Sequence, residues 1–492
     1  MSNLSKEAFK DLEMKNLWNY FYNLTQIPRE SGNEQEVRNY LIKEAEKNNF
    51  EYHVDKSGNL IIKVKATAGY ESAPSLALQG HLDMVCVKDE LIVHDFAKDP
   101  LNVYRDGDFI KAKGTTLGAD NGVAVAIIFD LFTDKEAKHG PLEAIFTVSE
   151  ETGLEGAFGL EPSLIESRTM INLDSEEEGV FYIGCAGGIE TKAIFEFEKR
   201  AIDKNSKLFE LNVDSLLGGH SGGEIHKQRA NAISVTARTL RSIADKFPLQ
   251  LISIDGGTKR NVIPSTTKTL FAVPSDEKEI CSIVNTTLNL LKKEFKEADP
   301  DLNIECTIKD NGEKQALSHE SSISLINALF ATHHGVDRVS QTIEDLVETS
   351  SNLASIRTTE KEITIISSHR SSLQSSRDHV ARRWNAIFEL IGAKTSTENG
   401  YPAWTPNVDS PIAKLVARVW QKKMGQKAKV TAIHAGLECG IINSLVEGMD
   451  SVSMGPILLD VHSTKERLSI SSTEKLAKFL RDVCLEFSLS TL

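Results

Sequence analysis

The chain of 492 residues is poor in cysteine and has no long apolar run. Its six cysteines are scattered and none forms a CxxC pair, so we expect reduced thiols rather than a disulfide framework. The longest apolar run, at 123–129, is far too short to span a bilayer. Residues 1–15 lack the apolar stretch of a signal peptide, so a cytoplasmic protein with no membrane partner is expected.

Acidic residues outnumber basic ones, with 70 Asp and Glu against 56 Lys and Arg. The formal net charge is −14, which argues against a nucleic-acid partner because such a partner requires a basic face. Apolar residues make up 40% of the chain, as in an ordinary globular protein, and the length suggests about two to four domains.

The first part of the chain alternates between strand-like and helix-like patterns. We predict strands at 60–64, 75–79, 142–148 and 169–173, and helices at 17–27 and 121–132. Such alternation predicts an α/β domain with a mostly parallel sheet. Acidic residues or a histidine follow three of these strands, where sites form in sheets of this kind.

The middle of the chain differs and predicts a separate α+β domain inserted into the first. We predict strands at 208–213, 269–273 and 363–366, and helices at 231–243, 279–295 and 379–390. The predicted domains are therefore 1–187 with 395–492, and the insertion 188–394. Segments 261–268 and 352–361 resemble each other and each precedes a strand and then a helix, which indicates an internal duplication.

Five short segments contain the ligand types of a zinc, manganese or cobalt site, which are imidazole and carboxylate. They are residues 80–84, 117–122, 149–153, 172–176 and 460–463. Two ions about 3.5–4 Å apart can share a bridging carboxylate and a bridging water whose pKa falls toward about 7. A further carboxylate can then accept the proton and pass it to a leaving amine.

Each segment alone has an ordinary explanation. A histidine such as His81 is more often structural, Asp120 begins a sequence typical of a turn, and paired glutamates are usually solvated. Glu150 and Glu151, however, follow the apolar strand at 144–148 after a single serine, which is unusual for an exposed face.

Together the motifs closely resemble those of the M20 metallopeptidases, and within them the aminoacyl-histidine dipeptidases (Xaa-His or cytosolic non-specific dipeptidases). The resemblance runs from about Leu17 to the C-terminus. The matching motifs, in order, are GHLDMV at 80–85, TLGADNG at 116–122, EETG at 150–153, NLDSEEEG at 172–179, GGHSGGEIHKQRANA at 218–232, GGTKRNVIP at 256–264, SSHRSS at 367–372, YPAW at 401–404, HAGLECG at 434–440 and DVHS at 460–463.

The resemblance implies a role for each residue of the site and a fold in which a two-metal catalytic domain carries an inserted lid. One metal would be bound by His81 and Asp174, and the other by Glu151 and His462. Asp120 would bridge the two metals, and the peptide between Asp120 and Asn121 would be cis. Glu150 would be the general base, and Asp83 would orient His81. The implied cofactors are two divalent ions, with Zn²⁺ expected and Mn²⁺ or Co²⁺ as alternatives.

The same resemblance points to residues that would contact a peptide. His220 resembles an oxyanion-stabilising lid histidine, and Asn261 a contact to the substrate backbone; ordinary polar turns are the alternative for both. Arg370, which follows the predicted strand 363–366, would bind the C-terminal carboxylate or else form a surface ion pair. His434 and Glu438 would contact the substrate amine or carboxylate.

The predicted function is hydrolysis of dipeptides with a free N-terminus, including Xaa-His dipeptides, by a metal-bridged water with Glu150 as base. Lid closure would complete the site, and a homodimer through the lid is expected, although a duplicated lid could supply the same contacts within one chain. The alternatives are a tripeptidase, carboxypeptidase or aminoacylase of the same family, or an inactive peptide-binding relative.

Overall fold

A computed structural model describes residues 2–309 and 312–490. They divide into two compact units, which are Met1–Cys185 with Pro406–Ala432 and Leu437–Leu492, and Ala186–Thr405 with Ile433–Gly436. In this described part of the chain no helix is both long and apolar enough to cross a membrane. The predicted domain boundaries, and the role of the insertion as a lid, stay predictions.

The first unit is built on a mixed sheet that is parallel at its centre and antiparallel towards its edges. Within the described residues its strand order is Glu51–Val54, Leu60–Val64, Leu142–Thr147, Leu76–His81, Thr169–Asn172, Asp450–Ser453, Val180–Cys185, Lys429–Ile433. The central strands Leu76–His81 and Leu142–Thr147 are buried at every position, as expected where both faces of a sheet are covered.

Helices and a small second sheet complete this unit. The helices are Ser2–Glu7, Lys15–Thr25, Gln35–Lys47, Ala119–Thr133, Glu155–Phe158, Pro411–Met424, Glu438–Leu445 and Ile470–Leu489, with a 3₁₀ turn at Pro162–Leu164. The small antiparallel sheet contains Leu458–Leu459, Arg467–Ser469, Phe109–Ala112 and Val103–Asp106. Ala119–Thr133 is apolar on nearly all sides and is therefore a buried helix, which fixes the segment at its N-terminus against the central strands.

The second unit is a large antiparallel sheet covered by helices. Its strand order is Asn303–Lys309, Lys207–Asp214, Thr267–Val273, Gln250–Gly256, Val347–Thr358, Glu362–Ser371, Gly187–Glu196, Lys394–Tyr401, with Gly335–Val339 beside Val347–Thr358. Its helices are Ala232–Ala244, Glu277–Glu294, His319–Ala331 and Gln374–Glu389, with a 3₁₀ turn at Ile225–Lys227. Two small ladders pair Gly219–His220 with Val262–Ile263 and Arg200–Ala201 with Gln315–Ala316.

This sheet contains two halves of the same topology. Each half contains, in chain order, a strand, a helix, two strands, a helix and a strand, and the order of strands in one half of the sheet is the reverse of that in the other. The strands of one half are Lys207–Asp214, Gln250–Gly256, Thr267–Val273 and Asn303–Lys309, and those of the other are Gly187–Glu196, Val347–Thr358, Glu362–Ser371 and Lys394–Tyr401. The halves meet where Gln250–Gly256 pairs with Val347–Thr358 and where the helices Ala232–Ala244 and His319–Ala331 pack together. The two similar sequence segments lie differently in the halves, because 261–268 runs into the strand Thr267–Val273 whereas 352–358 lies inside the strand Val347–Thr358. The predicted duplication of sequence stays a prediction.

One predicted strand end is wrong. The strand predicted at 363–366 continues as Glu362–Ser371, so Arg370 lies within the strand rather than after it. The polar residues that suggested an end, such as Ser367 and His369, are fully buried and belong to the sheet.

Candidate active site

Parallel pairing brings the carboxyl ends of three central strands to the same edge of the sheet. His81 ends its strand and pairs with Thr147, so His81 lies beside the strand that leads into Glu150 and Glu151. On the other side the register Gln79–Asn172 places Asp174 next to His81. The order of strands therefore gathers side chains that are far apart in sequence.

The polar atoms of these side chains converge. His81 Nε2 lies 3.0 Å from Oδ1 of Asp120 and 3.4 Å from Oδ1 of Asp174. His462 Nε2 lies 3.1 Å from Oδ2 of Asp120 and 3.1 Å from Oε1 of Glu151. Asp120 thus lies between the two imidazoles and presents a different oxygen to each of them.

The donors fit two divalent cations. Donor atoms of His81, Asp120 and Asp174 lie within 4.8 Å of one another, as do those of Asp120, Glu151 and His462. Each set offers one imidazole and two carboxylates, which suits zinc-class ions. Burial and repulsion from neighbouring carboxylates raise the pKa of Glu150 well above its usual value and that of Asp174 to about 7. Divalent cations would relieve this crowding of negative charge.

Asp83 joins the first imidazole to the glutamate pair. Its Oδ1 lies 3.3 Å from Nδ1 of His81 and accepts a hydrogen bond from the amide of Glu150, while its Oδ2 accepts from the amide of Glu151, both at 3.1 Å. Burial opposes ionisation of Asp83, but the contacts with His81, Ser31 and the amide outweigh burial and lower its pKa. A charged Asp83 is thus placed to fix the tautomer of His81.

Asn121 ties the ends of two strands together. Its Oδ1 accepts a hydrogen bond from the amide of His81 at 3.2 Å, and its Nδ2 donates to the carbonyl of Leu173 at 2.9 Å. The Asp120–Asn121 peptide is cis, as predicted.

Two buried charged residues that the sequence analysis did not identify surround the site. Glu466 accepts hydrogen bonds from backbone amides of the turn that carries Asp120, and Arg29 donates to backbone carbonyls beside Asp83 and in the same turn. In the sequence both look like ordinary surface charges, since no motif marks them. The spacing of Glu466, four residues after His462, was the only available signal.

Glu438 lies on the same unit, at the start of the helix Glu438–Leu445, and is fully buried. Its Oε2 accepts hydrogen bonds from Gln79 and Thr147, both at 2.6 Å, and burial raises its pKa to about 7. Among the described residues its Oε1 has no hydrogen-bond partner. Its predicted contact with substrate stays a prediction.

The remaining predicted substrate residues gather in the second unit around Gly222. A Cβ added at Gly222 would lie 2.7 Å from the carbonyl oxygen of His434, 3.1 Å from Cε1 of His220 and 3.3 Å from Cζ of Arg370. Asn261 adjoins the group because its carbonyl accepts a hydrogen bond from the amide of Ser221 at 2.9 Å. Residues from separate parts of the second unit thus form one polar cluster.

The polar cluster has a defined charge. Arg370 donates to the hydroxyl of Tyr401 at 2.8 Å, and His434 Nε2 lies 2.7 Å from Oγ of Ser350. Burial, followed by the charge of Arg370, lowers the pKa of His434 to about 3, so this imidazole is neutral at physiological pH. Arg370 places a positive charge in the cluster, and its guanidinium has the geometry to bind a carboxylate through two hydrogen bonds.

Comparison with known proteins decides the family. Residues 77–486 match the model of peptidase family M20/M25/M40. The chain belongs to this M20 family. It is 38% identical over 473 residues to the cytosol non-specific dipeptidase of Escherichia coli K12, covering 96% of each chain. The two-unit M20 fold is α/β with an inserted α+β unit, as predicted.

Solved structures agree with this assignment. An aminoacylhistidine dipeptidase from Vibrio alginolyticus superposes with a TM-score of 0.90 at 35% identity, over 98% of this chain and 99% of that one. A tripeptidase from Staphylococcus aureus superposes with a TM-score of 0.58 at 16% identity, over 97% of this chain and 100% of that one, and this likeness shows the fold alone.

Proposed function

We propose that this M20 peptidase hydrolyses dipeptides with a free N-terminus, including Xaa-His dipeptides, and that it requires two divalent ions, with Zn²⁺ preferred over Mn²⁺ or Co²⁺. The convergence of His81, Asp120, Glu151, Asp174 and His462 on two adjacent donor sets carries this proposal. The dipeptide substrate is supported by the Escherichia coli and Vibrio alginolyticus relatives, which are 38% and 35% identical to this chain and are both named as dipeptidases.

The ions would be held by His81 with Asp174 and by Glu151 with His462, with Asp120 shared. When bound, they would supply Lewis acidity that polarises a carbonyl group and acidifies water. The side chains of the protein would orient the metal ligands and move protons. Asp83 fixes His81 through its outer nitrogen, which leaves Nε2 facing the donor set.

Glu150 is the proposed base and acid. It lies in a donor set with His81 and Glu151, and the surroundings raise its pKa, so it holds a proton more readily than a solvated glutamate. A carboxylate of this kind takes a proton from the attacking water and returns it to the leaving amine.

The polar cluster of the second unit is the proposed place for the ends of the peptide. Arg370 offers a fork of donors to the C-terminal carboxylate. The His220 loop, held by Glu224 and by the ladder to Val262, offers an imidazole that would stabilise the oxyanion. We include Asn261, His434 and Glu438 as further contacts to the substrate.

Purified protein tests the proposal directly. Metal analysis is expected to find two ions per chain, chelation to abolish dipeptide hydrolysis, and Zn²⁺, Mn²⁺ or Co²⁺ to restore it. In a panel with tripeptides and N-acyl amino acids, dipeptides with a free amine are expected to give the highest kcat/KM. Preferential cleavage of tripeptides or N-acyl substrates would contradict the proposed specificity.

We also propose a cytosolic location, as in the name of the Escherichia coli relative, and a homodimer through the inserted unit. Sedimentation of the purified chain at several concentrations tests the second of these proposals, and a monomer throughout would overturn it.

A further inference from the structure

The turn that carries Asp120 is held by a buried carboxylate from near the end of the chain. Glu466 is 3% exposed, and its Oε2 accepts hydrogen bonds from the amides of Leu117 at 2.6 Å and Gly118 at 3.0 Å. Its Oε1 accepts from the amides of Ala119 at 2.8 Å and Asp120 at 3.3 Å. Because four successive amides converge on one carboxylate, the turn is fixed as a unit.

A buried guanidinium holds the same turn through a carbonyl group. Arg29 is 2% exposed, and it donates to the carbonyls of Leu82 and Asp83, both at 2.9 Å, and to the carbonyl of Gly118. Arg29 therefore connects the loop after His81 to the turn of Asp120. Burial lowers the pKa of Arg29, and the nearby carboxylate of Glu466 offsets part of that effect.

Glu466 also belongs to the turn that presents His462. Its amide donates to the carbonyl of Ser463 at 3.2 Å, and the hydroxyl of Ser463 donates to the carbonyl of Asp460 at 2.6 Å. Asp460 and His462 have φ angles of 55° and 58°, in the left-handed region that residues other than glycine rarely adopt. The direction of the His462 side chain thus depends on a turn whose anchor is Glu466.

We propose that Glu466 and Arg29 are positioning residues for Asp120. Glu466 sets Asp120 against His462, and Arg29 sets it against the loop after His81. Glu466 thereby controls the ion of the Asp120, Glu151 and His462 set more than the ion of the His81, Asp120 and Asp174 set. The reason is that Glu466 holds the segments of two donors, Asp120 and His462, of the set that includes Glu151. Of the set that includes His81 and Asp174, Glu466 holds only the segment of Asp120. His81 and Asp174 are placed by strands instead, since His81 ends a strand and Asp174 follows one. The inference rests on the proposed function, since it assumes that two ions bind.

Metal titration of the Glu466→Gln variant tests this inference. Gln keeps the size of the side chain but replaces one acceptor oxygen with an amide group that faces backbone donors. Zinc competition with a chromophoric chelator is expected to give one dissociation constant close to that of the wild type and a second raised about 10- to 100-fold, the usual effect of losing a partner of a metal ligand. Arg29→Lys is expected to weaken both ions, because Arg29 joins the loop after His81 to the turn of the shared Asp120 and an ammonium cannot span both.

Two matched variants control for loss of the fold. Glu474 also accepts backbone hydrogen bonds, from Glu13 and Met14, but touches no candidate ligand, and Arg38 donates to the carbonyl of Gly58. Glu474→Gln and Arg38→Lys are expected to leave both zinc constants unchanged. If Glu466→Gln does not fold by circular dichroism, Glu466→Asp, which retracts the carboxylate by one methylene, is titrated and the same selective weakening is expected.

The double variant identifies the ion. His462→Ala is expected to lose the ion of the Asp120, Glu151 and His462 set. Adding Glu466→Gln to this variant should then leave the remaining zinc dissociation constant unchanged. Two unchanged constants in folded Glu466→Gln, or equal weakening of both, would overturn the inference while the proposed function stands. A wild-type chain that binds fewer than two ions would instead overturn the proposed function.

Discussion

His462 Nε2 lies 3.1 Å from Oδ2 of Asp120, although 342 positions separate these residues in the chain. The contact joins a turn near the C-terminal end to the N-terminus of a buried helix. The carboxylates of Asp120 and Glu151 accept hydrogen bonds from His462 and raise its pKa to about 11, so this group of carboxylates favours positive charge. The same surroundings suit a metal ion.

Removal of this imidazole should therefore cost one ion. His462→Ala leaves Asp120 and Glu151 as the only candidate donors of that set, so we expect zinc content to fall from two ions to one per chain. We also expect kcat/KM to fall about 10³-fold or more, because charge stabilisation of this kind is a large part of catalysis. Elemental analysis and steady-state kinetics measure both. The control is His53→Ala, at a half-buried histidine that pairs with Glu51 and with no candidate ligand. Normal zinc content in His462→Ala would contradict the ligand assignment.

Glu150 should affect turnover without affecting metal content. Replacing it by Gln removes the group that accepts and returns a proton, so kcat is expected to fall about 10²- to 10⁴-fold. Zinc content stays at two, because each proposed ion keeps its three donors. Glu155→Gln, an exposed neighbour, is the matched control. If Glu150→Gln retained normal turnover, another residue would have to act as the base.

Part of this site was predictable from the residues themselves, because His81, Asp174 and the Glu150–Glu151 pair follow predicted strands. Asp120 and His462 do not, and the family resemblance alone implied their roles. Burial of a strand is visible as a run of apolar residues, so Glu150 and Glu151 after such a run were informative. Glu466 and Arg29 could not be found in this way, because their partners are backbone groups and backbone groups leave no mark in the sequence. The end of the strand Glu362–Ser371 was mispredicted for a related reason, since buried serines and His369 look like a turn.

Gly222 and Gly223 offer a matched pair for the polar cluster of the second unit. A Cβ at Gly222 would approach His434, His220 and Arg370 at 2.7 to 3.3 Å, whereas at Gly223 it would meet only Nδ1 of His220 at 3.7 Å. We expect Gly222→Ala to lower kcat/KM for dipeptides at least about tenfold, in keeping with the sensitivity of catalysis to small displacements.

Gly223→Ala is expected to stay close to the wild type, and zinc content should be normal in both variants because the cluster holds no proposed ligand. Steady-state kinetics with one Xaa-His dipeptide measures the difference. Equal kinetics for the two variants would show that this cluster does not serve the reaction.

His369 makes the second unit sensitive to acid. The ring is fully buried, with Nε2 2.8 Å from Oγ1 of Thr191 and Nδ1 2.9 Å from Oγ of Ser351. Burial, followed by the charge of Arg383, lowers its pKa to about 3. In the unfolded chain the same group titrates near 6.5, so between about pH 6.5 and 3 the unfolded state binds a proton that the folded state does not. Folding stability is therefore greatest above pH 6.5 and falls as the pH decreases.

The expected slope is about 1.4 kcal/mol of unfolding free energy per pH unit for this residue, or about 2 kcal/mol lost by pH 5. His369→Gln should lower stability by about 1–2 kcal/mol at pH 7.5, because hydrogen bonds are lost, yet should reduce the pH slope by one proton. Thr191→Val removes a hydrogen-bond partner without removing the titrating group, so it should be less stable while keeping the wild-type slope. Urea unfolding at pH 7.5, 6 and 5 measures all three proteins, and an unchanged slope in His369→Gln would mean that the imidazole is protonated in the folded chain.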